Sequence, residues 1–140
     1  MERIIKFRGK RTDNGEWVYG DLIHTTKDFK KRVQIIDWST NEITVEVGTK
    51  TVGQFTGLKD KDGKKVYEGD ILYDKYDDVL EDNGYGEIYC EVVFKNGAFG
   101  VMGKITDQFS PFSYNPITTE VVISNIYDNP ELIKQLDNGR

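Results

Sequence analysis

Cysteine and histidine are almost absent from this sequence, and their scarcity excludes several classes of function. There is one cysteine, Cys90, and one histidine, His24. A single cysteine forms no intramolecular disulfide and cannot by itself build a structural zinc site. The common forms of nucleophilic and general-base catalysis use histidine. His24 lies beside Thr25 and Thr26 and is predicted to be a surface residue at a strand end.

Long hydrophobic runs are also absent. No stretch approaches the roughly 20 apolar residues that a membrane-spanning helix needs. Residues 1–6 lack the apolar run of a secretory signal peptide. The sequence therefore predicts no membrane association and a cytoplasmic location.

The distribution of charge is uneven along the chain. The formal net charge is −5, which argues against general nucleic-acid binding. Residues 1–65 carry a net charge of +4, whereas residues 66–140 carry −9. This asymmetry indicates either separate basic and acidic contact surfaces, or two halves that attract each other within one fold or between subunits.

What the sequence does contain is the pattern of one β-rich domain. Its 140 residues have the length of one domain, and no linker divides them, so residues 1–140 are predicted to form a single domain. Five turn dipeptides offer the positive φ that tight hairpins need. They are Asn14-Gly15, Asp62-Gly63, Asn83-Gly84, Asn96-Gly97 and Asn138-Gly139.

Short β-prone runs lie among these turns. They are residues 3–8, 16–23, 33–38, 42–47, 71–73, 87–94, 98–102 and 118–126. The third and fourth runs are predicted to pair, and the sixth and seventh to form a hairpin through Asn96-Gly97. Alternation within 87–94 places Cys90 on one face with Ile88 and Val92, as a small core residue.

Helix is scarce in the pattern. Residues 129–136 are the best candidate, since Asn129 can cap a helix and Pro130 suits its first position. Residues 75–82 are a weaker candidate. Residues 74–86, which are acidic, and residues 107–116 are predicted to be surface loops.

Two Gly-Asp segments resemble each other. Residues 15–23 and 63–72 both place a turn glycine before Val-Tyr, and then Gly-Asp before two aliphatic residues. We interpret each as a turn, an extended piece, a tight bend and a new strand. The glycine permits the bend, and the aspartate can accept bonds from nearby backbone N–H groups.

A longer stretch, residues 56–71 (TGLKDKDGKKVYEGDI), resembles the signature of the YopX-like family of phage and prophage proteins. Residues 5–10 and 125–132 are similar to that family's beginning and end. The resemblance implies a small phage-encoded protein with a β-rich fold and barrel-like strand packing. It implies no activity, and no catalytic role is transferred to any residue.

Motifs for phosphate and metal binding fit poorly. Residues 57–65 have five residues between the glycines and no Ser or Thr after the lysine, unlike a phosphate loop. Leu58 occupies the first liganding position that a calcium loop would need. The acidic loop 74–87 could bind a divalent cation and serve a metal-dependent hydrolase, but a solvated loop is the preferred interpretation.

The basic N-terminal half offers another possible site. Cationic residues could contact phosphates while Trp17, Tyr19 and Trp38 stack on bases, as in small barrels that bind single strands. The cations are Arg3, Lys6, Arg8, Lys10, Arg11, Lys27, Lys30, Lys31 and Arg32. Ordinary polar strand faces with core aromatics are the preferred interpretation.

These observations favour a mostly β protein, a small barrel or pseudo-barrel of short antiparallel strands with a short C-terminal helix. We interpret it as a non-enzymatic phage or prophage accessory protein in the bacterial cytoplasm, which acts by protein–protein interaction or self-association. The alternatives are a nucleic-acid-binding module using the basic N-terminal strands and a metal-dependent hydrolase using residues 74–87. No catalytic, cofactor-binding or metal-binding residue is assigned, and no cofactor is expected.

Overall fold

The computed structural model describes residues 2–40, 43–77, 85–103 and 108–133. The backbone groups into two compact units, Met1–Gly57 and Leu58–Arg140. Each unit has its own cluster of buried hydrophobic residues. The single domain over residues 1–140 stays a prediction.

The first sheet is built mainly from the first unit. Its strands are β1 (Phe7–Lys10), β2 (Trp17–Lys27), β3 (Lys30–Asp37), β4 (Thr44–Glu46), β5 (Gly53–Lys59) and β6 (Lys65–Tyr67). Their order is β4-β3-β2-β1-β5-β6, and β1 to β4 form a meander of antiparallel neighbours. Strand β5 begins in the first unit, pairs antiparallel with β1, and ends just beyond the unit boundary.

Side-chain alternation explains the core of the first unit. Val33 and Ile35 on β3 and Val18 on β2 point to one face, where they pack against Val47. Gly9 lies over that valine, and a Cβ at Gly9 would approach its side chain to 2.9 Å. One face of the first sheet is therefore a hydrophobic core, and the opposite face carries Ile23 and Ile36 together with polar and aromatic residues.

The second unit contains the second sheet. Its strands are β7 (Asp70–Asp77), β8 (Tyr85–Lys95), β9 (Ala98–Gly103), β10 (Phe109–Pro111) and β11 (Val121–Asn125). Their order is β10-β9-β8-β7-β11, and every neighbouring pair is antiparallel. The buried cluster comprises Val66, Leu72, Val92, Val101 and Phe112. Cys90 packs against this cluster, so its predicted core position is confirmed.

The mostly β, antiparallel class is confirmed. Within the described residues the two sheets are open, with edge strands at both ends, and neither closes into a barrel. The predicted hairpin between residues 87–94 and 98–102 is confirmed as β8–β9. Its turn residues Asn96 and Gly97 have φ of 54° and 78°, which the twist of a two-residue hairpin favours.

Several predicted boundaries were wrong. The weak helix at 75–82 is replaced, as far as it is described, by β7, which continues to Asp77 and pairs with β8. Cross-strand pairing here outweighs local helix preference. The predicted loop 107–116 contains β10, and the first strand begins at Phe7 rather than at residue 3.

The two Gly-Asp segments are not structurally equivalent. Gly69 has φ of +88° and makes the predicted bend, and the Asp70 carboxylate accepts a 2.8 Å bond from the Tyr67 backbone N–H. Gly20 instead lies inside the continuous strand β2. A Cβ at Gly20 would lie 1.8 Å from the Ile36 carbonyl oxygen. Glycine is therefore required at position 20 because the backbone of β3 lies close to it, and not because the chain bends there.

The predicted C-terminal helix is seen as one helical turn at residues 131–133, and its remainder lies outside the described residues. Asn129 lies before this turn, but its side-chain amide donates to the Glu131 carboxylate at 2.8 Å. The predicted turns at Asn83-Gly84 and Asn138-Gly139 also lie outside the described residues. In the part of the chain that is described, no helix has the length and apolar character needed to cross a membrane.

Candidate functional site

The register of β1 and β2 brings cations and aromatic rings together on the face of the first sheet that is opposite the core. Lys10 pairs with Trp17, and Arg8 pairs with Tyr19. Directly opposed residues of an antiparallel pair share one face of the sheet. Lys6 and Trp38 complete the group through their contact with each other. We call these six residues the cation–aromatic face.

Each ring of this face lies close to a cation of the same chain. The Lys6 ammonium lies 4.8 Å from the Trp38 ring centroid and 5.7 Å from that of Tyr19. The Arg8 guanidinium lies 4.6 Å from the Trp17 ring centroid, and the Lys10 ammonium lies 5.6 Å from the same centroid. Each such contact contributes about 0.5–2 kcal/mol, depending on exposure. The rings and cations therefore hold one another in place.

An open cleft of about 420 Å³ lies on this face. Tyr19 and Trp38 line it and are each 37% exposed, and the Lys6 ammonium is in contact with both rings. Asp37 lines the cleft as well. Bonds from the Ser39 hydroxyl and backbone N–H lower the pKa of Asp37, so the cleft presents a carboxylate beside the ammonium of Lys6. A partner group with both an anion and a hydrogen-bond donor would match it.

The basic residues singled out in the sequence are partly brought together. Register places Lys27, Lys30 and Arg32 on the same side of the sheet as the cation–aromatic face, and Lys31 on the other side. Arg32 pairs with the Glu46 carboxylate at 2.9 Å. Arg11 is bonded to Asp13, and Arg3 precedes β1.

The described ends of the acidic loop do not converge. Asp74 pairs with Ile88, whereas Glu87 pairs with Lys75, so the two carboxylates lie on opposite faces of the second sheet. Residues 78–84 lie outside the described residues. Among the described residues, no group of three or more His, Cys, Asp or Glu side chains is placed to hold a metal ion.

The second unit contains an apolar cavity of about 120 Å³. Apolar side chains from β7, β8 and β9 and from the segment before β11 form most of its wall, and Asp74 and Glu120 contribute carboxylates. Cys90 also lines it. Burial, and then the negative charge of Glu120, raise the pKa of the Cys90 thiol. No sequence pattern predicts this cavity, because its wall comes from segments that are distant along the chain.

His24 and Cys90, the two residues considered for nucleophilic chemistry, each lie in the kind of surroundings that the sequence predicts. His24 is exposed on β2 opposite Val33, which confirms the predicted surface position, although it lies inside the strand rather than at its end. The thiol of Cys90 is held protonated by its surroundings, which is the reverse of what an activated nucleophile needs.

Three buried polar residues in the family-like segments organise turns. The Asp60 carboxylate accepts bonds from the backbone N–H groups of Asp62, Lys64 and Val122. Burial alone would raise the pKa of Asp60, but these three bonds lower it. The Asn125 side-chain oxygen accepts bonds from two backbone N–H groups of the following turn. The Asp70 carboxylate accepts one bond from the backbone N–H of Tyr67, which precedes it. These motif residues have structural roles.

Comparison with known proteins agrees with the architecture. The family model described as YopX protein matches residues 6–134. Protein EF1440 from Enterococcus faecalis is 24% identical, with 94% of this chain and 99% of that chain covered and a TM-score of 0.51. Protein yopX from Bacillus subtilis is 20% identical, with 91% and 96% covered and a TM-score of 0.52. These two structures support the fold. No curated protein gives a significant match.

Proposed function

This chain belongs to the YopX protein family, and we propose that it acts by binding another protein, with the cation–aromatic face as its contact surface. In this proposal it is a non-enzymatic phage or prophage accessory protein in the cytoplasm of a bacterial host. The single free cysteine, Cys90, supports a reducing compartment.

The observation that carries this proposal is the cleft between Tyr19 and Trp38. Two large rings are each 37% exposed at one concave site, and the Lys6 ammonium is in contact with both of them. Tryptophan and tyrosine at the centre of a patch are typical of the residues that dominate protein–protein affinity. Because Lys6 already orders both rings, little side-chain entropy would be lost when a partner binds.

The chemistry of the cleft defines the partner's surface. Lys6 favours a partner carboxylate, while Asp37, whose pKa is lowered, favours a partner N–H or ammonium group. The rings of Tyr19 and Trp38 favour an apolar or aromatic side chain between these polar contacts. A folded protein or peptide segment presents all three kinds of group within a few residues.

Binding of single-stranded nucleic acid is the second candidate, and one observation favours it. Lys27, Lys30 and Arg32 lie on the same side of the sheet as the cation–aromatic face. However, the chain's own cations lie close to the rings that bases would stack on. Arg8 is only 5% exposed, so it is poorly placed to reach a phosphate. These two facts favour a protein partner.

Metal-dependent hydrolysis has less support from the geometry. The mechanism would use paired carboxylates on one metal ion. Asp74 and Glu87, the described acidic residues at the ends of the loop 74–87, face opposite sides of their sheet. Asp74 also accepts a 2.6 Å bond from the Thr119 hydroxyl.

The test compares three forms of the full chain as bait in lysates of Bacillus subtilis and Enterococcus faecalis, followed by calorimetry with any purified prey. The forms are the wild type, the double variant Tyr19→Ser/Trp38→Ser, and the control Phe94→Ser, which removes an exposed aromatic side chain from the second unit. We expect the double variant to lose at least about 30-fold in affinity, as for two central contact residues. The control should retain wild-type affinity.

Two results would contradict the proposal. One is prey that binds the double variant as tightly as the wild type. The other is tight, salt-sensitive binding of the wild type to a fluorescent oligothymidine with no protein prey, which would favour the nucleic-acid candidate.

A further inference from the structure

The hairpin between β2 and β3 has an unusual tip. Lys27 pairs with Lys30, so the turn consists of Asp28 and Phe29, whose φ angles are 52° and 63°. Tight hairpins favour asparagine, aspartate and glycine at such positions, and a bulky side chain there is a strained outlier. Phe29 is nevertheless fully exposed. Its ring gains no burial within the chain that would offset this strain.

The surroundings of Phe29 are strongly basic. Lys27, Lys30 and Lys31 are all exposed on the same hairpin. The tip therefore presents one exposed phenyl ring on a segment, residues 27–31, whose three lysines and Asp28 give a net charge of +2. A complementary site would be an apolar socket, large enough for a ring, with carboxylates at its edge.

The apolar cavity of the second unit has a mostly apolar wall to which two acidic residues contribute. Its volume of about 120 Å³ is close to that of an engineered apolar cavity of about 150 Å³ that binds benzene. Its wall includes Leu72, Val101 and Phe112, and Asp74 and Glu120 supply negative charge. The socket and the basic tip lie in separate units of the chain.

We propose that Phe29 of one copy inserts into the apolar cavity of a second copy, with Lys27 and Lys30 facing Asp74 and Glu120. The basic tip and the carboxylate-bearing cavity are complementary in charge and in size, which selects a second copy of this chain as the occupant. If two copies insert their tips into each other, the contact closes a twofold dimer, whereas one-way insertion yields rings or open chains. This self-association goes beyond the proposed function and uses neither Tyr19 nor Trp38.

The Phe29→Gly variant separates this role from a structural one. Glycine adopts the positive φ without strain, so we expect the melting temperature of the monomer to stay unchanged or to rise. Self-association, measured by sedimentation equilibrium over a wide range of concentrations, should weaken by at least about tenfold, because the inserted ring is lost. The Phe94→Ser control and the Tyr19→Ser/Trp38→Ser variant should associate like the wild type.

Cys90 reports on the cavity directly, because it lines the wall. Its reaction rate with an aromatic disulfide reagent should fall as the wild-type concentration rises, and should not depend on concentration in Phe29→Gly.

Charge reversal provides a second experiment. Lys30→Glu should weaken association, and mixing it with Asp74→Lys chains should restore it through a reversed ion pair.

Three results would overturn the proposal. The first is a wild-type protein that stays monomeric at every concentration. This result would overturn the proposal even if the tip were found to bind another protein or a polyanion. The second is association that Phe29→Gly leaves unchanged. The third is association that depends on Phe29 while Cys90 reactivity does not change with concentration, since the ring would then occupy another surface.

Discussion

The Asp60 carboxylate gives the most direct test of the structural reasoning. Its Oδ1 accepts bonds from the backbone N–H groups of Asp62 and Lys64, both at 2.9 Å, and its Oδ2 accepts one from Val122 at 2.9 Å. One buried side chain therefore joins the turn before β6 to the strand β11. In the variant Asp60→Asn, an NH₂ group replaces one oxygen and faces a backbone donor instead of accepting from it.

The expected cost follows from these contacts. A hydrogen bond to a charged group contributes about 1.5–3 kcal/mol, and a part-buried donor left unsatisfied costs about 1–3 kcal/mol. Asparagine can retain the two bonds to its remaining oxygen, so we expect Asp60→Asn to lose about 2–3 kcal/mol of unfolding free energy. For a unit of this size, the loss corresponds to a decrease in melting temperature of about 10–20 °C.

Urea unfolding followed by far-UV circular dichroism measures this loss, and Asp62→Asn is the matched control. Asp62 lies in the same turn but is exposed. The pH dependence adds a second readout. Because the folded-state pKa of Asp60 is lowered from 3.8, its contribution is complete above the unfolded-state value and is lost as the pH falls through the folded-state value.

The stability difference between the wild type and Asp60→Asn should therefore be greatest near neutral pH and should shrink below about pH 4, near the unfolded-state pKa of an aspartate. The reasoning is wrong if Asp60→Asn and Asp62→Asn agree within about 0.5 kcal/mol, the usual range for surface substitutions. It is also wrong if the difference between the wild type and Asp60→Asn does not change as the pH falls.

Three further substitutions test two separate features. Gly20→Ala should destabilise the first unit by at least about 3 kcal/mol in thermal unfolding followed by tryptophan fluorescence, since its Cβ would lie 1.8 Å from the Ile36 oxygen. Gly15→Ala has open space and should lose only about 1 kcal/mol; equal losses would refute the close-approach argument. The Cys90 thiol, whose pKa is raised by burial and by Glu120, should react more slowly with a disulfide reagent in dilute folded than in unfolded protein. Glu120→Gln should speed that reaction, and an unchanged rate would exclude the charge effect.

Features of the fold that depend on short stretches of sequence were predictable. Asn96-Gly97 specifies a two-residue turn almost by itself, since both residues tolerate positive φ. Asp62-Gly63 is similar, because Gly63 has φ of +85° and the preceding Asp60 binds the turn's backbone. Alternation correctly placed Cys90 toward the core.

Features that depend on distant pairing were not predictable. The strand β5 was missed because its residues Gly53 and Gly57 weaken the β pattern, and pairing with β1 supplies what local preference lacks. The turn at Asp28 and Phe29 was missed because it contains no glycine. The similarity between the Gly20 and Gly69 segments failed as a guide to structure, because strand register decides whether a glycine bends the chain or allows close approach.

The same distinction between features set by short stretches of sequence and features set by distant pairing applies to the candidate sites. The sequence singled out Trp17, Tyr19, Trp38 and the basic residues around them as a possible contact surface. Only the three-dimensional structure reveals that Arg8 is buried against Trp17, and that Lys6 is in contact with the other two rings. Neither the exposure of Phe29 nor the apolar cavity was predictable from the sequence, since both depend on which residues are left uncovered after the strands pair.

The strand order also determines when each sheet can form during synthesis on the ribosome. The meander from β1 to β4 pairs sequential neighbours, and β5 joins it near residue 57. In the second sheet β7 is flanked by β8 and by β11, which begins only at Val121. We therefore expect the N-terminal sheet to form co-translationally, before β11 has been synthesised and can pair with β7. Until Val121–Asn125 has left the exit tunnel, that side of β7 is an unpaired edge that other nascent chains can reach.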